Sequence, residues 1–154
     1  MTGIAKMIFL ETSLDIPFDL DLLEQAALAA LTHQSADGNL TIVLTDDEQL
    51  HRLNRDFLGT DAPTDVLSFP ASETDPETGA AYLGDILLSI PRADAQAQSA
   101  GHPLVDECRL LVVHGVLHLL GHDHAEADEK AKMWKAQGEI LEGLGLGHVK
   151  INEK

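Results

Sequence analysis

Three histidines, His114, His118 and His124, stand in one short segment in the order H-x3-H-x2-G-x2-H, and imidazole is the commonest side-chain ligand of transition metals. On a helix, positions 114 and 118 project from one face about one turn apart, so both rings can reach a single ion. Gly121 suits the left-handed backbone that ends a helix, which lets the chain reverse and bring in His124 as a third ligand. Three neutral nitrogens leave a fourth tetrahedral position for water, the arrangement of a catalytic rather than a structural zinc. One Zn2+ per chain is therefore the expected cofactor, although nickel and copper bind imidazole at least as tightly and cellular supply decides. The bland alternative is a buried helix whose histidines each find a backbone carbonyl. Residues 110–120 are apolar around nearly the whole circumference, and burying two unpaired imidazoles there would be costly.

Zinc proteases of the H-E-x-x-H type carry a glutamate directly after the first histidine as the general base. Here that position is Gly115, so peptide hydrolysis is a poor reading of the site. Other residues have two readings each. Asp123 either orients a ligand imidazole through its second nitrogen or is a turn carboxylate. His122 acts as acid or base near neutral pH or is a surface imidazole. Asp65 and Asp85, near the starts of strands, either cap turns or support the metal histidines. Arg55 and Arg92 are candidate substrate contacts, against the ordinary solvated arginine.

Positioning these groups requires a layered domain. Residues 5–12 read as a strand, and Phe18-Asp19 open an amphipathic helix with Leu22, Leu23, Ala26, Ala27, Ala30 and Leu31 on its buried side. After a turn at Asp37-Gly38-Asn39, residues 40–44 alternate as a second strand. Thr45-Asp46-Asp47-Glu48 then has the form of a capping box and starts a helix with Leu50, Leu53 and Phe57 facing inward. Residues 66–69 and 82–90 read as strands joined by the polar segment 72–81, a long hairpin or a flap over the site. Pro91 begins a helix ending near Gly101, the histidine helix follows Pro103, and residues 126–144 form the last, with Met133, Trp134, Ile140 and Leu141 as core contacts. The expected fold is α/β of the α+β kind: one domain over 1–154, a small mixed sheet of about four strands packed against helices, and a central metal-binding helix. Its first crossover favours a parallel strand pair and the later hairpin an antiparallel one, and residues 149–154 are expected to be a flexible tail.

With 154 residues the chain suits one domain. A single cysteine, Cys108, excludes an intramolecular disulfide and reads as a buried thiol, or less simply as a fourth metal ligand. No apolar stretch is long enough to span a bilayer and the N-terminal apolar run is too short for a signal peptide, so a cytoplasmic protein without membrane contact is expected. The formal charge of −16 repels polyanions at long range and leaves only a local basic patch to attract one.

His114 to His124 together with Pro63-Thr64-Asp65-Val66-Leu67-Ser68-Phe69-Pro70 and Gly84-Asp85-Ile86 resemble the YbeY family of metal-dependent bacterial endoribonucleases. The match runs from about residue 40 to 145, with a looser N-terminal part. The resemblance implies a zinc-dependent, single-strand-specific endoribonuclease that matures the 3′ end of 16S ribosomal RNA and serves ribosome quality control. Its metal ligands would be His114, His118 and His124, and its partners ribosomal RNA and the small ribosomal subunit. Two positions depart from the family pattern. Leu58 follows the aromatic Phe57 where the family usually has an arginine, which leaves Arg55 or Arg52 as substitutes, and His122 stands where a tyrosine is common. A ribosome-associated zinc module with little catalysis, and a metallopeptidase-like hydrolase, are the alternatives.

Overall fold

Leu40, Ile42 and Leu44 alternate with half-buried Thr41 and Val43, and Ile86 and Leu88 lie beside them with Leu87 buried on the opposite side, so one face of a sheet is fully apolar. The computed structural model describes residues 6–77, 79–122, 126–147 and 149. They form β1 (Ile8–Thr12), α1 (Asp21–His33), β2 (Asn39–Thr45), α2 (Asp47–Leu58), β3 (Val66–Thr74), β4 (Ala81–Ser89), α3 (Ile90–Ala100), α4 (Leu104–Leu119) and α5 (Ala127–Gly143). The sheet runs β1-β2-β4-β3, with β1 and β4 each parallel to β2 and β3 antiparallel to β4. This is the mixed four-stranded α+β arrangement expected, with β1 and β3 at the edges.

The two faces are unequal. On one, Leu40, Ile42, Leu44, Ile86 and Leu88 pack with α1, α4 and α5 into the main core, which includes Val112, Val113, Val116, Leu117, Met133 and Ile140. On the other, Leu67 and Leu87 meet Leu50 of α2 in a small second core, with Val43, Leu53 and Phe69 around it. A buried leucine contributes on the order of 1.5–3 kcal/mol, so the first face supplies most of the stability. Gly115 is the reason α4 lies so close to the sheet: a Cβ there would be 2.7 Å from Ile86 Cγ2. The Ser68 hydroxyl donates to the Gly115 carbonyl at 3.1 Å and pins β3 to the same turn.

Several expectations need correction. The N-cap of α2 is Asp46, whose Oδ1 accepts from Gln49 N at 2.8 Å, one residue after Thr45; Thr45 instead donates its hydroxyl to Gln49 Oε1 at 2.7 Å. Phe57 does not face inward: it is 69% exposed, because the last turn of α2 meets the edge strand rather than the centre of the sheet. Leu22 is half-buried and outside the core cluster, whereas Trp134, also half-buried, packs against the main core as expected. The polar segment 72–81 is a long hairpin: β3 and β4 pair through Glu73↔Tyr82 and Thr74↔Ala81, past an irregularity between Pro70 and Glu73. Val149, placed by sequence in a flexible tail, is 5% exposed in the main core, while 150–154 lie outside the described residues.

Candidate metal centre and its cleft

α4 carries His114 and His118 on one side, four residues apart near its C-terminus. Its ending is a Schellman turn. Gly121 N donates to the His118 carbonyl and His122 N to the Leu117 carbonyl, and Gly121 takes φ 97°, the conformation that its lack of Cβ permits. The reversal expected after the second histidine is thus built as read. His124 and Asp123, the third candidate ligand and its neighbour, lie outside the described residues.

The two rings converge. His114 Nε2 and His118 Nε2 are 3.1 Å apart. Nitrogens bound to one tetrahedral zinc at about 2.0–2.1 Å lie roughly 3.3 Å from each other, so this pair needs a shift of only a few tenths of an ångström to share an ion. The tautomer is fixed from behind. His114 Nδ1 is 2.9 Å from Gln137 Oε1 on α5, an atom that can only accept, so the proton sits on Nδ1 and Nε2 presents its lone pair. Gln137 is 1% exposed between Met133 and Ile140. Trp134 completes this wall, its ring 5.9 Å from that of His114 at 70°. Among the described residues no three potential ligands converge. Soft, neutral imidazoles suit zinc or a similar transition ion better than calcium or magnesium.

Both histidines open into a cleft of about 400 Å³ lined also by Leu58, Thr64, Asp65, Val66, Leu67, Ser68 and Pro70. Asp65 is 6% exposed; its Oδ2 accepts from Gln96 Nε2 of α3 at 3.1 Å, and its backbone carbonyl accepts from Ser89 N. Of the two aspartates proposed from sequence, this one shares the histidines' cleft.

Asp85 does not. Register puts it beside Phe69 and one residue from Gly84 and Ile86, hence on the α2 face of the sheet, away from α4. There its Oδ1 accepts a hydrogen bond from the Tyr82 hydroxyl, which in turn accepts from Thr41 Oγ1 at 2.6 Å. Burial, reinforced by that hydrogen bond, pushes the Tyr82 phenol up to about 12.

The arginines are spent elsewhere. Arg92 makes a two-pronged pair with Asp47, Nε to Oδ1 at 2.8 Å and Nη2 to Oδ2 at 3.0 Å, which ties the starts of α2 and α3 together. The Arg92 guanidinium, and the Ser89 hydroxyl donating at 3.2 Å, hold the Asp47 carboxyl below its ordinary range. Arg55 lies against Asp56, Nε to Oδ1 at 2.9 Å. Neither guanidinium lines the histidine cleft, and each is held in a local ion pair. His122 sits at a different spot, its Nε2 donating to Gln34 Oε1 at 2.7 Å; Gln34 Nε2 donates to His33 Nδ1, and His33 Nε2 reaches Glu139 at 2.9 Å. That chain anchors the turn to α1 and α5. Cys108 is 0% exposed in the main core and burial pushes its thiol up to about 12, which removes it as a fourth ligand.

Sequence reasoning missed Gln137, Gln96 and Ser68. Gln137 had a readable signal, a polar side chain on the apolar stripe Met133, Ile140 and Leu141 of α5.

Residues 12–145 match the sequence model of the family described as Endoribonuclease YbeY. The chain belongs to this family. It is 47% identical over 147 residues to Endoribonuclease YbeY of Chloroflexus aurantiacus strain J-10-fl, covering 89% of this chain and 96% of that protein. The protein of the same name from Brevibacillus brevis is 38% identical over 138 residues, with 82% and 87% covered. That from Halalkalibacterium halodurans is 44% identical over 128 residues, with 77% and 80% covered. The solution structure of TM1509 from Thermotoga maritima is similar with a TM-score of 0.57 at 24% identity, spanning 96% of this chain and 99% of that one, which speaks for the fold. In this YbeY chain Leu58, singled out in the sequence, lines the histidine cleft itself.

Proposed function

We propose that this chain is a zinc-dependent endoribonuclease that cuts single-stranded RNA, acting in the cytoplasm on ribosomal RNA of the small subunit at the 3′ end of 16S RNA and in ribosome quality control. Family membership supports the ribonuclease class. The observation that carries the metal is the convergence of His114 and His118 Nε2 at 3.1 Å on the wall of an open cleft, with Gln137 holding the His114 proton on the far nitrogen. His124 is the natural third ligand on its spacing. A zinc ion held there supplies Lewis-acid polarisation of a phosphate oxygen and a more acidic water.

The chain's own groups have definite tasks. His114 and His118 hold the ion, and Gln137 fixes the ring of the first. Asp65, oriented by Gln96 in the same cleft, is placed to accept the proton of the attacking hydroxyl, whether from water or from the neighbouring ribose. Ser68 and Gly115 keep β3 at a fixed distance from α4 and so set the cleft's width.

A peptidase reading fails on Gly115, where a glutamate side chain would run into Ile86 instead of reaching the ion. A ribosome-associated zinc module with little catalysis draws on one observation, the absence of an unpaired arginine in the cleft. None of the described helices is long and apolar enough to cross a membrane.

The deciding experiment is cleavage of a single-stranded RNA carrying the 16S 3′ precursor sequence by metal-stripped protein, zinc-restored protein and His118→Ala. Zinc-restored cleavage that the variant lacks is the expected result. Equal cleavage in all three means a contaminating nuclease, and no cleavage with zinc still bound favours the ribosome-associated module.

A further inference from the structure

The edge strand β3 is a wall shared by two pockets. Ser68 and Pro70 line the histidine cleft, while Phe69 between them faces the other side of the sheet. There a second pocket of about 260 Å³ is formed by Leu53, Phe57, Phe69, Asp85 and Leu87. The end of α2 straddles the same boundary, Leu58 on the cleft and Phe57 on the second pocket. Phe57 meets Phe69 edge-on, ring centroids 6.2 Å apart at 82°. It is nevertheless 69% exposed, and with Leu58 at 51% it makes up half of the exposed large hydrophobics among the described residues, the others being Met7 and Phe9.

We propose that Phe57, braced by Phe69, is a stacking subsite for one nucleobase of the single-stranded RNA whose backbone enters the histidine cleft; this rests on the ribonuclease reading above. Three observations choose a base as the occupant. The pocket and the cleft flank the same edge strand and the same end of α2, Phe57 on one and its neighbour Leu58 on the other, so a chain leaving the cleft around that open edge meets Phe57. Its polar group is the Asp85 carboxylate, which repels a phosphate and tolerates a neutral base. Arg55 and Arg92 are paired with carboxylates, so affinity has to come from elsewhere, and aromatic stacking is the sequence-tolerant source that single-strand binders use.

The test is the Kd of zinc-loaded protein, read at low temperature before cleavage sets in, for a short unstructured RNA and for copies carrying one abasic residue at each position in turn. Phe57→Ala is expected to weaken binding of the intact RNA by roughly five- to hundred-fold. Phe57→Trp restores it, and Phe9→Ala on the opposite edge strand leaves it unchanged. At one abasic position wild type and Phe57→Ala become equal. An unchanged Kd for Phe57→Ala overturns the subsite. So does a loss that is the same on every abasic RNA, which would mark the patch as a protein-docking surface. Binding that behaves as expected without zinc-dependent cleavage of the same RNA sinks the ribonuclease reading and leaves the subsite standing.

Discussion

Replacing Gln137 by leucine isolates what the wall behind the metal site does. The two side chains are close in size, so the change leaves little cavity in a position that is 1% exposed. What it removes is the acceptor 2.9 Å from His114 Nδ1. A buried donor left without a partner costs about 1–3 kcal/mol. In the metal-free protein the imidazole avoids that cost by moving its proton to Nε2, 3.1 Å from the His118 ring nitrogen, and baring Nδ1. Zinc requires Nε2 bare, which forces the proton back to Nδ1, so the penalty falls on the bound state. At 1.4 kcal/mol per factor of ten, metal affinity drops roughly five- to hundred-fold, the range seen when the outer partner of a ligand histidine is removed. Gln137→Glu moves the other way: a carboxylate accepts the proton more strongly and tightens zinc, while an uncompensated charge destabilises the apo fold. Competition against a chromogenic chelator gives the Kd, and urea unfolding of the metal-free variants separates affinity from folding. Unchanged zinc affinity in a folded Gln137→Leu protein would refute the argument.

Other perturbations test the frame around the site. Gly115→Ala puts a methyl 2.7 Å from Ile86, a stiff β-branched side chain that is 0% exposed, and is expected to cost about 1–3 kcal/mol in denaturant unfolding; wild-type stability would show that α4 does not press on the sheet as described. Tyr82 is the one tyrosine in the chain, so its phenolate absorbance reports a single group, and it should titrate near 12 in the folded protein; a midpoint near the ordinary 10.0 with the fold intact contradicts its burial against Asp85. Asp47 has a folded pKa below its ordinary 3.8, so its pairing stabilises the protein above that pH and is lost as pH falls through the folded value. Thermal unfolding of Arg92→Ala should therefore trail wild type near neutrality and converge with it in acid, and a gap that does not shrink as pH falls below 3.8 would contradict the pairing.

The sequence made the histidine helix legible because everything about it is local. Two histidines at i and i+4 share a face on any helix, and Gly121 takes φ 97° because the chain must reverse within one turn. Strand alternation likewise exposed which residues share a face. It did not say which face α4 would cover, and so Asp85 went to the wrong side while Asp65 reached the cleft. Phe57 follows Leu50 at a spacing of seven and reads inward, yet the end of α2 lies over an edge strand, and strand order is not contained in a helix's own pattern. The Arg92 pair joins residues 45 apart, which only the packing of α2 beside α3 brings together. Thr45 and Asp46 both suit a cap, and the extended backbone of Asp46, φ −100° and ψ 172°, decides between them.

The acidic composition acquires a different meaning once the cations are located. Of ten lysines and arginines, the two expected to grip phosphate are neutralised by neighbouring carboxylates, and Lys6 lies 3.8 Å from Asp37. The described polar lining of the cleft is the two imidazoles, Thr64, Ser68 and the carboxylate of Asp65. Such a cleft repels a polyanion unless a cation occupies it. The −16 field acts over about 8–10 Å before salt screens it and slows encounter more than it alters the bound state. On the proposed reading, a metal ion held by His114 and His118 sets the balance inside the cleft. RNA affinity and metal affinity are then linked quantities, each raising the other by the same factor, since binding free energies couple reciprocally.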